Sequence, residues 1–116
     1  MQVKIWDTYS YGCHDLIFKK TFDIEIAPTM GITITDESDD GEYSIDLELV
    51  NHDYQHCRIY YDLNNNYFII DIRYSWRVPV SPETIDFEIK NHKQLGWSRE
   101  DRTDIPALKK LMKFTR

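Results

Sequence analysis

The chain is short of cysteine, glycine, proline and long apolar runs, and each shortage removes a class of protein. Two cysteines in 116 residues, Cys13 and Cys57, lack the dense spacing of a secreted disulfide scaffold. A reducing compartment, and hence a cytoplasmic location, is expected. Four glycines and four prolines leave no flexible linker or low-complexity tract. No apolar stretch approaches the roughly 20 residues that cross a bilayer. The first residues, Met1 to Asp7, meet a charge before a signal-peptide core can form. Neither a membrane span nor an export signal is expected. The serine-nucleophile G-x-S-x-G, the phosphate-cradling glycine loop and the zinc motif H-E-x-x-H are missing as well. The chain is therefore not read as an enzyme: no catalytic residue, metal ligand or cofactor is assigned to it.

What remains is a chain of the size of one domain, 1–116, able to hold a core without covalent staples. Its net charge of -6 is uneven. Residues 1–57 carry 3 Lys and Arg against 12 Asp and Glu, whereas residues 58–116 carry 11 against 8. Direct binding of nucleic acid is not expected of an acidic half, because that affinity comes from Lys and Arg displacing counterions. A protein partner with a basic surface is its electrostatic complement.

The dominant local pattern is alternation of apolar and polar residues, which predicts strands. Val3 and Ile5 open the series and run toward a turn near Gly12. Phe22, Ile24 and Ile26 follow, and Pro28, with no N–H to donate, ends that ladder. Ile32 and Ile34, then Tyr43, Ile45, Leu47 and Leu49, predict a hairpin around an acidic turn. Residues 58–63 and 67–76 flank Asn64, Asn65 and Asn66, which tolerate the left-handed backbone of a tight loop. The second of these runs is apolar on both faces and belongs in the middle of a sheet. Ile85, Phe87 and Ile89 predict a last strand over 84–90. The period then changes: Asp104 as N-cap, Pro106 in the first turn, and Ile105, Leu108, Leu111 and Met112 at helical spacing predict a C-terminal helix. The expected class is thus α+β, a predominantly antiparallel sheet of about six to seven strands with one C-terminal helix packed on it. Residues 95–101 are read as loop or a single helical turn.

Several constellations invite a chemical reading. Asp36, Ser38, Asp40 and Gly41 resemble the first half of an EF-hand calcium loop, but the twelfth position, where a bidentate glutamate belongs, is Leu47. An acidic, solvated turn explains the run better. His52 and His56, four apart with Cys57 adjacent, would put two imidazoles on one face of a helix, yet they fall between strands; a metal-dependent enzyme or ligand binder built on this loop is kept as an alternative. Carboxylates two apart, as in Asp86 and Glu88, are expected to share the polar side of a strand. Eight Tyr, three Trp and five Phe exceed what a core of this size requires, so some are expected outside. Trp6, Tyr9 and Tyr11 around the first turn, Tyr54 in a polar loop, and Trp97 beside Gly96 in another are the nominees.

The reading that joins these features is a small acidic protein-binding module. It would be an inhibitor or immunity-type protein of phage or bacterial kind that blocks a basic site on a nuclease or other nucleic-acid-handling effector. Asp36, Glu37, Asp39, Asp40, Glu42, Asp46 and Glu48 would supply charge, and Tyr43, Trp6, Tyr9 and Tyr11 aromatic anchors. The profile, not a motif, carries that analogy. A homo-oligomeric structural subunit joined through exposed edge strands is the other alternative.

Overall fold

A computed structural model describes residues 2–25, 27–29, 33–38, 41–46, 55–76 and 81–114. The chain is α+β. In order it forms β1 (Gln2–Tyr11), β2 (His14–Asp23), β3 (Thr33–Ser38), β4 (Gly41–Asp46), β5 (Gln55–Asp62), β6 (Tyr67–Ser75), α1 (Pro82–Gln94), the two-residue β7 (Ser98–Arg99) and α2 (Ile105–Phe114). The main sheet runs β5-β6-β1-β2-β7, and β3 and β4 make a separate two-stranded hairpin.

Turn chemistry sets the registers. Gly12, at φ 59°, lets Tyr11 pair directly with His14 across a two-residue loop. In the β5–β6 loop the left-handed residue is Asn66, at φ 57°, and the Asp62 carboxylate accepts the backbone N–H of Asn64 at 2.9 Å. β6 lies inside the sheet, as its two apolar faces require, between β5 and β1. Its pairing with β1 is parallel, so the sheet is mixed. The antiparallel hairpin occupies one edge of β6 and leaves the other to β1, whose direction the chain path fixes.

Residues 84–90 are not a strand. They lie in α1, and signals at both ends explain why. The Ser81 hydroxyl accepts the Thr84 N–H at 3.3 Å as an N-cap, Pro82 opens the first turn, Glu83 faces the positive end of the helix dipole, and Gly96 at φ 84° follows the end. Ile85 and His92, seven apart on one helix stripe, are buried, while Phe87 is 61 % exposed. Alternation of Ile85, Phe87 and Ile89 thus reflected two core residues and one surface residue. α2 forms as expected, with Asp104 Oδ1 accepting the Ala107 N–H at 3.1 Å.

Both helices contribute to one core. Val3, Ile5 and Tyr9 of β1, Leu16 and Phe18 of β2, and Ile70 and Ile72 of β6 meet Ile85 of α1 and Leu108 and Met112 of α2. Each such side chain, fully buried, contributes about 1.5–3 kcal/mol. On the opposite face of the sheet Asp71 is buried between Arg58, 3.8 Å away, and Arg73, 3.5 Å away.

The β2 edge is closed by the segment that carries β7. Glu100 N–H donates to the Ile17 carbonyl at 2.8 Å, and Ile17 N–H donates to Asp101 at 2.9 Å. Asp101 also accepts from Arg99 and from the Thr103 N–H. Burial alone would raise the Asp101 carboxyl, but these donors outweigh it and hold the group below its usual range. Asp101→Ala is expected to cost about 2–3 kcal/mol in urea unfolding, because it orphans two backbone donors and a guanidinium together.

Candidate functional site

The strongest concentration of titratable and aromatic groups lies in the core between β1 and α1. Alternation along β1 sends Val3, Ile5, Asp7 and Tyr9 to the helix-bearing face, so a carboxylate enters an apolar layer. Helical spacing in α1 sends Glu88 and His92 down to meet it. His92 Nε2 lies 2.8 Å from Asp7 Oδ2, and both residues have no exposed surface. His92 Nδ1 lies 2.8 Å from the Glu88 carbonyl oxygen, which only accepts, so Nδ1 carries a proton. Tyr9 donates its hydroxyl to Asp7 at 3.0 Å or to the Glu88 carboxylate at 3.2 Å.

Aromatic rings wall this network. Phe18 stacks on the imidazole at a centroid distance of 4.0 Å and an angle of 13°. Trp97 and Tyr43 present their edges to it at 5.2 and 5.6 Å, and Tyr74 stacks on Tyr9 at 4.8 Å. Burial, followed by the nearby carboxylate charges, holds the hydroxyls of Tyr9, Tyr43 and Tyr74 well above their ordinary range. Asp7 Oδ1 and the Tyr43 hydroxyl are buried with no hydrogen-bond partner among the described residues.

This constellation holds a proton between buried partners. Both imidazole nitrogens are engaged, and no solvent reaches the ring. Its work is to tie α1 to β1 at a fixed position. Burial and the Asp71 charge push the Cys57 thiol up to about 11, above the range of a reactive cysteine.

The nominated surface residues separate into two groups. Cross-strand pairing of Asp36 with Tyr43 and of Ile34 with Ile45 puts these positions on the hairpin face turned to the core. Tyr43 is accordingly buried at 7 % exposure. Asp36 is drawn inward: its Oδ2 accepts from Lys20 Nζ at 2.8 Å and from Trp97 Nε1 at 3.0 Å. Lys20 also donates to the Leu95 carbonyl. Asp36 therefore anchors the hairpin to the body of the protein. Thr33, Thr35, Glu37 and Ser44 are exposed on the other face, and register places positions 42 and 46 there too, with Glu42 opposite Glu37.

The aromatic nominees divide likewise. Tyr9 and Trp97 are core residues: alternation along β1 turns Tyr9 inward, and the Trp97 indole N–H finds its acceptor in Asp36. Tyr11 is half-buried against the core. Trp6 lies half-buried on the opposite sheet face, with the Lys19 ammonium 4.5 Å above its ring. Asp39, Asp40, Glu48, His52 and Tyr54 lie outside the described residues. His56 and Cys57 are consecutive in β5, so one is exposed and the other buried on the opposite face, and the two cannot ligate one ion together. Among the described residues no group of three or more His, Cys, Asp or Glu is arranged to hold a metal ion, and no helix is long and apolar enough to cross a membrane. Asp86 and Glu88, placed on a helix instead of a strand, point apart: Asp86 meets Lys109 at 2.5 Å, and Glu88 meets Tyr9.

Sequence reasoning missed Asp7, Lys20, Glu88 and His92. A charge on the apolar stripe of β1 was the available signal for Asp7, and reading 81–94 in helical phase would have turned His92 inward. No family model matches the chain, nor does any curated protein or solved structure.

Proposed function

We propose that the chain is a small acidic protein-binding module, of inhibitor or immunity type, whose contact surface is the outward face of the β3–β4 hairpin. The partner is a protein with a basic site, such as a nuclease or another nucleic-acid-handling effector. One observation carries this reading. Glu37 is exposed, forms no ion pair or hydrogen bond among the described residues, and stands directly opposite Glu42 in the ladder. Like charges so opposed destabilise a hairpin by a few tenths of a kcal/mol to about 1 kcal/mol, a strain that a cationic surface would relieve. The inward face is meanwhile anchored through Asp36, which makes the outward face a rigid platform. Attraction across such faces raises association rates and falls with salt.

The test compares the immobilised parent chain with the Glu37→Lys/Glu42→Lys variant, each exposed to host extract. A partner held by the parent at low salt, lost by the variant at least about tenfold, and inhibited in nuclease assay by the parent alone is the expected result. Equal retention of that partner by both chains would show that the hairpin face is not the contact.

A further inference from the structure

The two edges of the main sheet are treated differently. Beside β2, the edge is closed by β7 and by the hydrogen bonds of Glu100, Asp101 and Thr103 to the β2 backbone. Beside β6, the sheet ends at β5, and no described strand pairs with the outer side of β5. Eight residues long, β5 contains no proline or lysine, and the charges it carries, Arg58 and Asp62, leave its middle, Ile59 to Tyr61, apolar or aromatic. Exposed apolar surface collects here: Tyr60 is 38 % exposed, Tyr61 43 % and Leu63, just past the strand, 82 %. Arg58, Ile59 and Tyr60 line a shallow cleft of about 540 Å³.

We propose that β5 is the pairing edge of a symmetric dimer, in which the five-stranded sheets of two copies join antiparallel with Ile59 opposite the second copy's Ile59. A two-fold axis normal to the sheet is the operation that relates neighbouring antiparallel strands, and it keeps the helix-bearing faces of both copies on one side. This restricts the register to steps of two residues. Centring on Ile59 pairs residues 56–62 over their full length. It sets His56 opposite the second copy's Asp62 and Arg58 opposite the second copy's Tyr60, twice each by symmetry. On the other face Cys57 meets the second copy's Tyr61, an apolar contact. Shifting the register by two residues, so that it centres one residue earlier, would oppose Arg58 to its own copy, a like-charge clash. The opposite two-residue shift, centred on Tyr60, shortens the pairing within β5 to 58–62. The Arg58 clash, the length of pairing and the polar His56–Asp62 contact therefore choose one register, and the complement is the chain itself. The surface shares no residue with the acidic hairpin, so the two proposals stand or fall separately.

The experiment uses the full chain. Sedimentation velocity from about 1 μM to about 1 mM, the range of small specific interfaces, is expected to show mass rising from 13.9 kDa toward twice that value. In a Cys13→Ser background, Arg58→Cys, Ile59→Cys and Tyr60→Cys are then oxidised separately. Directly opposed strand positions sit about 4.5–5.5 Å apart, within disulfide reach, whereas a two-residue offset lies beyond about 7 Å. Ile59→Cys is expected to cross-link at least about tenfold faster than either neighbour, a discrimination of about 1.4 kcal/mol. Tyr60→Lys, an exposed change, should abolish the mass increase while leaving the circular dichroism unaltered. A chain monomeric throughout, fastest cross-linking at position 58 or 60, or undiminished dimerisation of Tyr60→Lys would overturn the proposal.

Discussion

Urea unfolding of a His92→Leu variant at neutral pH is expected to show a loss of about 3–5 kcal/mol, the effect of stripping one partner from a buried charge pair. Asp7 has no exposed surface, and its Oδ1 already lacks a hydrogen bond among the described residues. Without the imidazole, only the Tyr9 hydroxyl remains to support the carboxylate. Asp7→Val alone is expected to cost less, about 1–3 kcal/mol, since a neutral imidazole with one idle nitrogen remains. The double variant, which replaces both groups by apolar side chains, should lose well under the sum of the single losses, because no orphaned charge is left behind. It also keeps the test valid if His92→Leu alone fails to fold, a realistic outcome for a domain whose total stability is about 5–15 kcal/mol. Strict additivity of the three variants would mean that Asp7 and His92 are not coupled.

The same pair sets a pH dependence with a definite sign. Burial works against a charged His92, but the hydrogen bond and charge of Asp7, with the carbonyl and carboxylate of Glu88, outweigh it and raise the imidazole above 6.5. Asp7 and Glu88 are raised too, chiefly by burial. These directions describe one proton that the folded pair keeps after the unfolded chain has released it. The stability that His92 contributes is full below 6.5 and is lost as pH rises through its elevated folded value. The parent's unfolding free energy should therefore fall above about pH 6.5, by at most about 1.4 kcal/mol per pH unit, while Asp7→Val/His92→Leu stays flat there. Asp62 and Asp101, both lowered, act oppositely: their contribution is lost as pH falls below 3.8.

Much of this architecture was legible because the alternating side chains of β1, β3, β4, β5 and β6 announce their strands directly. Asp104 with the stripe Leu108 and Met112 did the same for α2. The failures share a cause, which is that a local period carries no information about distant partners. Ile85, Phe87 and Ile89 satisfy a strand template, and only the Ser81 cap, Pro82 and Gly96 argue for a helix across them. Parallel pairing of β1 with β6 depends on where the chain returns after more than fifty residues. Asp7 and His92 are separated by 85 positions, so no motif spans them. The surplus of aromatics was likewise visible but misplaced: Tyr9, Tyr43 and Trp97 enclose the imidazole instead of decorating the surface.

Asp36 and Glu37 are neighbours in an acidic run, yet opposite fates are expected for them. Asp36→Ala should cost about 2–4 kcal/mol, because both the Lys20 ammonium and the Trp97 indole N–H lose their acceptor, and a hydrogen bond to a charged group is worth about 1.5–3 kcal/mol. Asp36→Asn keeps an acceptor for Trp97 but not the ion pair, so roughly half that loss is expected. Glu37→Lys, on the outward face, should stay within about 0.5 kcal/mol of the parent. Urea midpoints at a constant slope measure all three, and near-ultraviolet dichroism of Trp97 reports whether the hairpin has left its seat. An Asp36→Ala protein as stable as its parent would remove the anchor and return this carboxylate to the partner surface. The contrast matters for function. Reversing charge along the whole run would unseat the hairpin and mimic a binding defect, whereas changes at Glu37 and Glu42 probe recognition with the platform still in place.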